Sequence, residues 1–228
     1  MQSLQTFLEG RNDPSIFHAV FMAGAPGAGK DFVADSLALG GQLGYKEINS
    51  DNEFERYMID AGLTDEKGSI ILDPNQEFER DVVRSVAKRH SNAKLRYAKI
   101  GRLGLLLNGT GASLSKMKQQ KKTLEALGYE CACVYVNVGL ETAIQSDKDR
   151  GMTPGEREIG VELVTAKWKE LNISIKVYKR IFGKLFFEVD NGVREKTPVI
   201  VRKLFGTISK WSKTMPKNKI AKLWMKNN

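Results

Sequence analysis

The stretch Gly24-Ala25-Pro26-Gly27-Ala28-Gly29-Lys30-Asp31 carries the strongest fold signal in this sequence. It matches the phosphate-binding pattern G-x-x-x-x-G-K-[ST] at every position except the last. An apolar run from His18 to Ala23 precedes it, and a helical pattern from Asp31 to about Leu39 follows. In such a strand–loop–helix, glycines let backbone N–H groups face an anion, the helix adds its positive end, and Lys30 reaches the outer phosphates. The alternative is a glycine-rich turn beside an unrelated lysine.

Strand and helix patterns alternate on both sides of this loop. Predicted strands cover residues 18–23, 46–49, 103–107, 131–138 and 185–189. Predicted helices cover residues 31–39, 53–62, 76–90, 113–127, 140–150 and 156–182. Several of the strands are continuous apolar runs, which is typical of a parallel sheet covered by helices on both faces. We therefore expect a three-layer α/β fold with a mostly parallel sheet, in which the chemistry lies beyond the carboxyl ends of the strands.

Composition limits the class of protein. The 228 residues suit one domain with an appendage, and 41% hydrophobic with 28% charged residues excludes disordered, collagen-like and coiled-coil chains. No stretch approaches the roughly 20 apolar residues of a membrane-spanning helix, and the amino-terminal end shows no signal-peptide pattern. The two cysteines, Cys131 and Cys133, are too few for a disulfide framework or a four-ligand zinc site. We expect a protein of the reducing cytoplasm.

The formal net charge of +9 is concentrated near the carboxyl terminus. Residues 191–228 hold ten Lys and Arg against one acid, Glu195, and this accounts for the whole excess. Residues 1–190 hold 26 bases and 26 acids. The sequence therefore predicts a neutral domain over residues 1–190 and a basic, helical extension over residues 191–228.

The extension also carries apolar residues at helical spacing, which a chain of counter-ions would not need. They are Ile200, Leu204, Ile208 and Trp211, then Ile220, Leu223 and Trp224. Three roles stay open: a helix pair docked on the body that presents basic side chains to nucleic acid, a basic helix on a membrane surface, or an arm for a partner or a second copy. We favour nucleic acid, DNA more than RNA, whose binding would weaken steeply with salt.

Asp31 stands where the phosphate-binding pattern has Ser or Thr, whose hydroxyl coordinates Mg²⁺. A carboxylate is also a hard oxygen ligand, and without a metal it would repel phosphate. Asn108 stands after the third predicted strand, where a magnesium-linked acid is often found. We hypothesise that the metal's carboxylate has moved from the third strand to the loop, so that Asp31 and Asn108 form the metal shell. The alternative is that Asp31 only caps its helix.

Asp51 follows the second predicted strand in the run Ile48-Asn-Ser-Asp51. A carboxylate at this edge of the sheet can accept the proton of an incoming hydroxyl during phosphoryl transfer. Ser50 or Asp51 can equally cap the helix that follows, and the two roles are compatible.

Three motifs in this order, namely the phosphate loop, the Ile48–Asp51 element and the Gly109-Thr-Gly111 turn, resemble one branch of the P-loop kinases. That branch contains phage polynucleotide 5′-kinases and zeta-toxin-like kinases. The likeness spans roughly residues 18–191, and the run Gly101–Gly111 is similar to phage-encoded members. The resemblance implies a P-loop kinase fold and ATP as donor with Mg²⁺. It also implies that Asp51 is the general base, and that Asn108 replaces an Asp common in relatives.

The resemblance further implies a lid whose arginines stabilise the transferred phosphoryl group. Arg150, at the end of the helix over 140–150, is the best match, and Arg157 is the second. Relatives often carry an Arg-Asn pair where this chain has Ser146-Asp147, so the lid is poor in arginine. For both arginines the alternative is a solvated cation at a helix end.

Together these features predict a Mg·ATP-dependent kinase with Lys30, Asp51 and Arg150 as catalytic residues and Arg157 beside the donor. The favoured acceptor is a hydroxyl on nucleic acid, either a 5′-end or a hydroxymethylated pyrimidine in phage DNA. One alternative is a small-molecule kinase that acts on a nucleoside, a nucleotide or, as zeta toxins do, a UDP-sugar. The other is a nucleotide-dependent binding module without catalysis, against which Asp51 argues.

Overall fold

The computed structural model describes residues 10–228 apart from 67, 71–76, 155 and 194, and it omits the side chain of Arg11. The strands are β1 (His18–Ala23), β2 (Lys46–Ile48), β3 (Leu105–Leu107), β4 (Glu130–Asn137) and β5 (Phe186–Asp190). The helices are α1 (Lys30–Ser36), α2 (Ser50–Asp60), α3 (Glu77–Ile100), α4 (Leu114–Ala126), α5 (Leu140–Gly151), α6 (Val161–Phe182), α7 (Thr197–Ser212) and α8 (Lys219–Asn227).

The five strands form one sheet in the order β2-β3-β1-β4-β5, and every neighbouring pair is parallel. The predicted α/β class is confirmed, and the described sheet is wholly rather than mostly parallel. Because β1 lies in the centre, the loop that follows it opens between the ends of β3 and β4. Ligands of open α/β sheets bind at this carboxyl edge.

The two faces of the sheet are buried by largely different sets of helices. Ala19 and Phe21 of β1 pack with residues of α3, α4 and α6, whereas Val20 and Met22 pack with α1, α5 and α7. This alternation follows from the period of two along a strand. Cys131 and Cys133 point to the same face, and burial raises the pKa of the Cys131 thiol to about 12, so this cysteine is a packing residue.

Several element boundaries differ from the predicted ones for local reasons. The third helix continues from about residue 90 to Ile100, since Ser91 and Ala98 keep the same buried face. α6 starts at Val161 instead of residue 156, because Gly160 has a φ of +99° and the Asp147 carboxylate accepts the N–H groups of Ile159 and Gly160.

α7 and α8 pack against opposite faces of the sheet. Val201, Leu204 and Ile208 of α7 join the core that contains α1, while Ala221 of α8 is fully buried in the core on the other side. The division at residue 190 stays a prediction. In the structure, the helices beyond it share the core of the sheet.

Candidate active site

The phosphate loop connects β1 to α1 and is held in shape by close backbone approaches. Gly27 has a φ of +75°, and a Cβ there would lie 2.2 Å from the carbonyl oxygen of Ala143 in α5. Gly29 has a φ of +78° and precedes α1 as its N-cap without a side-chain cap bond. Left-handed backbone of this kind favours glycine, so the motif's spacing is a steric requirement of the loop.

Lys30 is the first residue of α1, and its ammonium donates to the carbonyl of Ala25 at 3.1 Å, so it bends back over the loop. Burial lowers the pKa of Lys30 to about 8, with Arg150 acting in the same direction and with Asp31 and Asp51 opposing it. The lysine is therefore a partly desolvated cation among charges of both signs. A phosphate bound here would place a negative charge beside the ammonium and so offset the loss of water on burial.

Asp31 and Asn108, the predicted metal residues, are brought together by the fold. The Asn108 amide nitrogen donates to Asp31 Oδ1 at 2.7 Å and to Glu47 Oε1 at 2.7 Å, and Asn108 is only 7% exposed. Asp31 does not cap α1, whose cap residue is Gly29. Glu47 was missed by the sequence analysis, although a carboxylate within the three-residue strand β2 is a signal that could have found it.

These side chains fit a magnesium ion shared with nucleotide phosphates. Among the residues that the structure describes, no group of three or more His, Cys, Asp or Glu side chains could hold a metal ion by itself. Mg²⁺ in phosphoryl-transfer sites is usually bound by one or two carboxylates together with waters and substrate phosphates. Asp31, Glu47 and the oxygen of Asn108 supply hard oxygen ligands of that number and kind.

Asp51 lies in the first turn of α2, and its side chain is 53% exposed. Asn49, rather than Ser50 or Asp51, caps this helix by accepting the N–H of Asp51 at 3.0 Å. The cap therefore leaves the Asp51 carboxylate available for chemistry. Its described ion-pair partners are Arg157, at 3.5 Å, and Arg84, at 4.0 Å.

Arg157 makes two ion pairs and is mostly buried. It contacts Asp51 at 3.5 Å and Glu55 at 3.4 Å, and its guanidinium lies 4.9 Å from the centre of the Phe54 ring. Burial raises the pKa of Glu55 even though Arg157 opposes the shift. Arg84 of α3 covers the same ring at 4.2 Å. No sequence pattern pointed to Arg84, since only the packing of α2 against α3 brings it to Asp51.

Arg150 lies in the last turn of α5 and pairs with Glu156 at 3.3 Å. It faces the same cleft as Lys30 and Arg157. The sequence analysis ranks Arg150 before Arg157, yet of these two it is Arg157 that contacts Asp51. Asp147, one turn earlier in α5, is buried and fixes the start of α6 through two backbone N–H groups.

The cleft consists of two chambers. The first, the donor chamber, has a volume of about 250 Å³ and is lined by residues that include Lys30, Asp31, Arg150 and Arg157. The second, named the acceptor chamber for the role proposed below, has a volume of about 320 Å³ and lies between α3, α4 and the ends of β2 and β3. Asp51, Asn108, Gly109 and Thr110 line both chambers. The predicted base thus stands at their junction.

Comparison with known families identifies the chain. The sequence model of the zeta toxin family matches residues 10–194, which include the phosphate loop, Asp51, Arg150 and Arg157. The protein belongs to the zeta toxin family. It is therefore a P-loop kinase, and the matched region ends just before α7. A comparison with curated proteins finds no match.

Solved structures that are similar to this one are distant in sequence. One, from the PezAT chromosomal toxin–antitoxin system of Streptococcus pneumoniae, has 13% identity and a TM-score of 0.59, with 92% of this chain and 91% of that chain covered. A Chloroflexus aurantiacus protein assigned as a kinase has 15% identity and a TM-score of 0.53, covering 85% and 95%. Deoxyadenosine kinase of M. mycoides, with bound dATP, has 19% identity and a TM-score of 0.45, covering 82% and 98%.

The comparisons confirm the zeta-toxin part of the expected resemblance, together with the kinase activity. They give no support to phage origin, DNA modification or a nucleic-acid partner. Within the described part of the chain, no helix has the length and apolar character needed to cross a membrane.

Proposed function

We propose that this kinase transfers the γ-phosphoryl group of ATP to a hydroxyl of a small, phosphate-bearing acceptor such as a nucleotide or a nucleotide sugar. The observation that carries the proposal is the position of Asp51 between two adjoining chambers, one at the phosphate loop and one lined by lysines. Membership of the zeta toxin family supports a small acceptor over the nucleic acid that the basic extension suggested.

On the donor side, the loop amides and Lys30 would hold the phosphates of ATP. Asp31, Glu47 and Asn108 would hold Mg²⁺, which neutralises charge on the transferring phosphoryl group when it is bound. Arg150 and Arg157 line the same chamber, and their positive charge would stabilise the equatorial oxygens in the transition state.

On the acceptor side, Lys88, Lys116 and Lys167 come from three different helices to line one chamber. Among the described residues that line it, Asp51 is the one carboxylate. Lysine binds phosphate as a compact point charge, so this chamber favours an acceptor that carries phosphate away from its reacting hydroxyl. A volume of about 320 Å³ suits a small molecule.

At the junction, Asp51 takes the proton of the acceptor hydroxyl as its oxygen attacks the γ-phosphorus. The new O–P bond forms while the bond to the β-phosphate oxygen breaks, and ADP leaves with the electron pair. Protonated Asp51 then returns its proton to water. Because the 3.5 Å contact of Arg157 with Asp51 is long, phosphate oxygens in the donor chamber can compete for this arginine and free the base.

A second candidate, binding of a polyanion such as DNA, is favoured by the surface of the extension. All nine described Lys and Arg side chains of residues 195–228 are exposed, and none forms an ion pair with another described residue. α8, however, packs near Phe17 and Gly128, at the amino ends of β1 and β4. These lie a strand length of about 20 Å from the edge that holds Asp51. Phosphates bound by α8 would therefore lie outside the cleft that holds Asp51.

The proposal is tested by offering γ-labelled ATP with separate acceptors: nucleosides, nucleotides, UDP-sugars, 5′-hydroxyl DNA and RNA, and hydroxymethyluracil DNA. We expect label on a phosphate-bearing small acceptor. The double variant Lys88→Gln/Lys116→Gln should raise the KM for that acceptor at least tenfold and leave the KM for ATP unchanged. The matched control is Lys118→Gln/Lys122→Gln, which removes two exposed lysines of the α4 region outside the chamber. Label on polymer alone, or equal effects of the two variants, would contradict the proposal.

A further inference from the structure

The rear of the phosphate loop, on the side away from the cleft, is in contact with the segment that follows β5. The Asn191 side-chain amide donates to the carbonyl of Ala28 at 2.9 Å, and a Cβ on Gly29 would lie 2.5 Å from the same nitrogen. Asn191 is only 8% exposed, so water does not replace this bond readily. The loop's conformation is thus fixed from behind by a residue more than 160 positions later in the chain.

Asn191 is itself fixed from two directions. Its backbone N–H donates to Asn137 at the end of β4, at 2.9 Å, and its side-chain oxygen accepts the hydroxyl of Thr197 at 2.7 Å. Thr197 is the first residue of α7 and has no exposed surface. A buried hydrogen-bonded chain therefore runs from α7 through Asn191 to Ala28.

We infer that Asn191 and Thr197 are positioning residues for ATP, through which the carboxyl-terminal helix α7 sets the shape of the phosphate loop. Thr197 orients the amide of Asn191, and the amide holds the Ala28 carbonyl away from the cleft so that the neighbouring N–H groups face phosphate. The inference rests on the proposed binding of ATP and is independent of the acceptor's identity.

The family match covers residues 10–194, so it includes Asn191 and ends before Thr197. The contact also gives the extension a role different from carrying charge: its first turn supports the donor site, while its lysines point to solvent. Because coupling between two sites is reciprocal, bound nucleotide should in turn stabilise the first turn of α7.

The test uses the full-length protein and a fluorescent, non-hydrolysable ATP analogue. We expect Asn191→Ala and Thr197→Val each to raise the Kd for the analogue about fivefold, the change that corresponds to loss of one net hydrogen bond. Because the two residues act in series, the double variant should weaken binding by less than the product of the single changes. Thr197→Ser, which keeps the hydroxyl, should bind like the wild type.

The matched control lies at the other end of the same helix, where the Tyr45 hydroxyl bonds the buried Ser212 at 2.6 Å. Tyr45→Phe should lower the melting temperature to a similar degree but leave the Kd for the analogue within twofold. Hydrogen exchange gives a second readout: the analogue should slow exchange at residues 197–201 in the wild type and not in Asn191→Ala. Equal Kd changes in variants and control, or unchanged Kd in Asn191→Ala, would overturn the relay. Failure of the wild type to bind the analogue would overturn the proposed function as well.

Discussion

The two edges of the sheet differ in how they use charge. At the carboxyl edge, ionisable side chains of both signs converge on one cleft and contact one another, as in the pairs of Arg157 with Asp51 and of Arg150 with Glu156. At the amino edge, Trp211 and Trp224 pack against His18 and Phe17, and the described lysines of α8 point outward to solvent. The net charge of +9 therefore describes the extension and not the site of chemistry.

The difference is also energetic. Apolar burial at the amino edge contributes to stability in proportion to the area removed from water. At the carboxyl edge, partly desolvated groups such as Lys30, whose pKa is lowered to about 8, are held in a state that favours a ligand. Substitutions at the carboxyl edge should therefore mainly change turnover, and substitutions at the amino edge should mainly change stability.

The largest expected effect on turnover is that of Asp51→Asn. Loss of the base should lower kcat by about 10³-fold, within the usual range for a general base, and leave the melting temperature unchanged because the residue is half exposed. Steady-state kinetics with the acceptor found in the panel would measure this. Asp60→Asn, at the exposed end of the same helix, is the control and should keep full activity.

The largest expected effect on stability is that of Ile208→Ala in α7. Ile208 is fully buried in the core that α7 shares with α1, so its truncation should lower the free energy of unfolding by about 2–5 kcal/mol. Urea denaturation followed by fluorescence would measure the loss. Val199→Ala, on the same helix but 60% exposed, should change it by less than about 0.5 kcal/mol. Similar values for both variants would show that α7 is not part of the core.

A smaller effect is expected for Asp31→Ser, which restores the usual residue of the loop pattern. If the carboxylate binds the metal, the variant should hold Mn²⁺, in the presence of a non-hydrolysable ATP analogue, roughly tenfold more weakly. Electron paramagnetic resonance titration reads this without any turnover. Asp35→Ser, an exposed acid of the same helix, serves as control. Equal Mn²⁺ affinity in Asp31→Ser and the wild type would remove Asp31 from the metal shell.

The smallest effect concerns His18, which is fully buried with no hydrogen-bond partner for Nε2 among the described residues. Burial lowers the pKa of His18 in the folded protein, although its contact with the Ile16 carbonyl and the charge of Glu130 oppose the shift. The unfolded chain, with a pKa near 6.5, therefore binds the proton first as pH falls. Stability should decrease below about pH 6.5, by at most about 1.4 kcal/mol per pH unit.

Thermal unfolding between pH 7.5 and 5.5 measures this slope. In His18→Gln the slope should be flatter, whatever the variant's stability at pH 7.5. The charged group next to the imidazole is Glu130, whose carboxylate accepts the indole N–H of Trp211. An unchanged slope would show that His18 is not the titrating group.

The parts of the site that follow one another closely in sequence were predictable. The phosphate loop, Lys30 and Asp51 occupy short motifs at strand ends, where spacing alone indicates their positions. Arg84 and Asn191 were not found, because each reaches the site through packing between elements distant in the chain. Glu47 was overlooked although it lies within β2, close to Asp51 in sequence. Arg84 depends on the way α2 lies against α3, and Asn191 on the return of the chain after β5.

The extension shows the same limit. Its helices were predictable from apolar spacing, since Leu204 and Ile208 lie on one face of a helix. The surface that these residues cover was not predictable, because apolar spacing shows that one face of a helix is buried but not which part of the protein buries it. The preference for nucleic acid came from the charge of residues 191–228, whereas the fold places α8 away from Asp51.

The central claim is that phosphoryl transfer occurs to a small acceptor at the carboxyl edge without help from the extension's lysines. It is tested most directly in one reaction that offers 5′-hydroxyl DNA together with nucleotides and UDP-sugars. The wild type is compared with Lys219→Gln/Lys222→Gln/Lys226→Gln, in which the basic surface of α8 is neutralised. We predict label on the small acceptor at equal rates in both proteins. Label on DNA that disappears in the α8 variant would contradict the account.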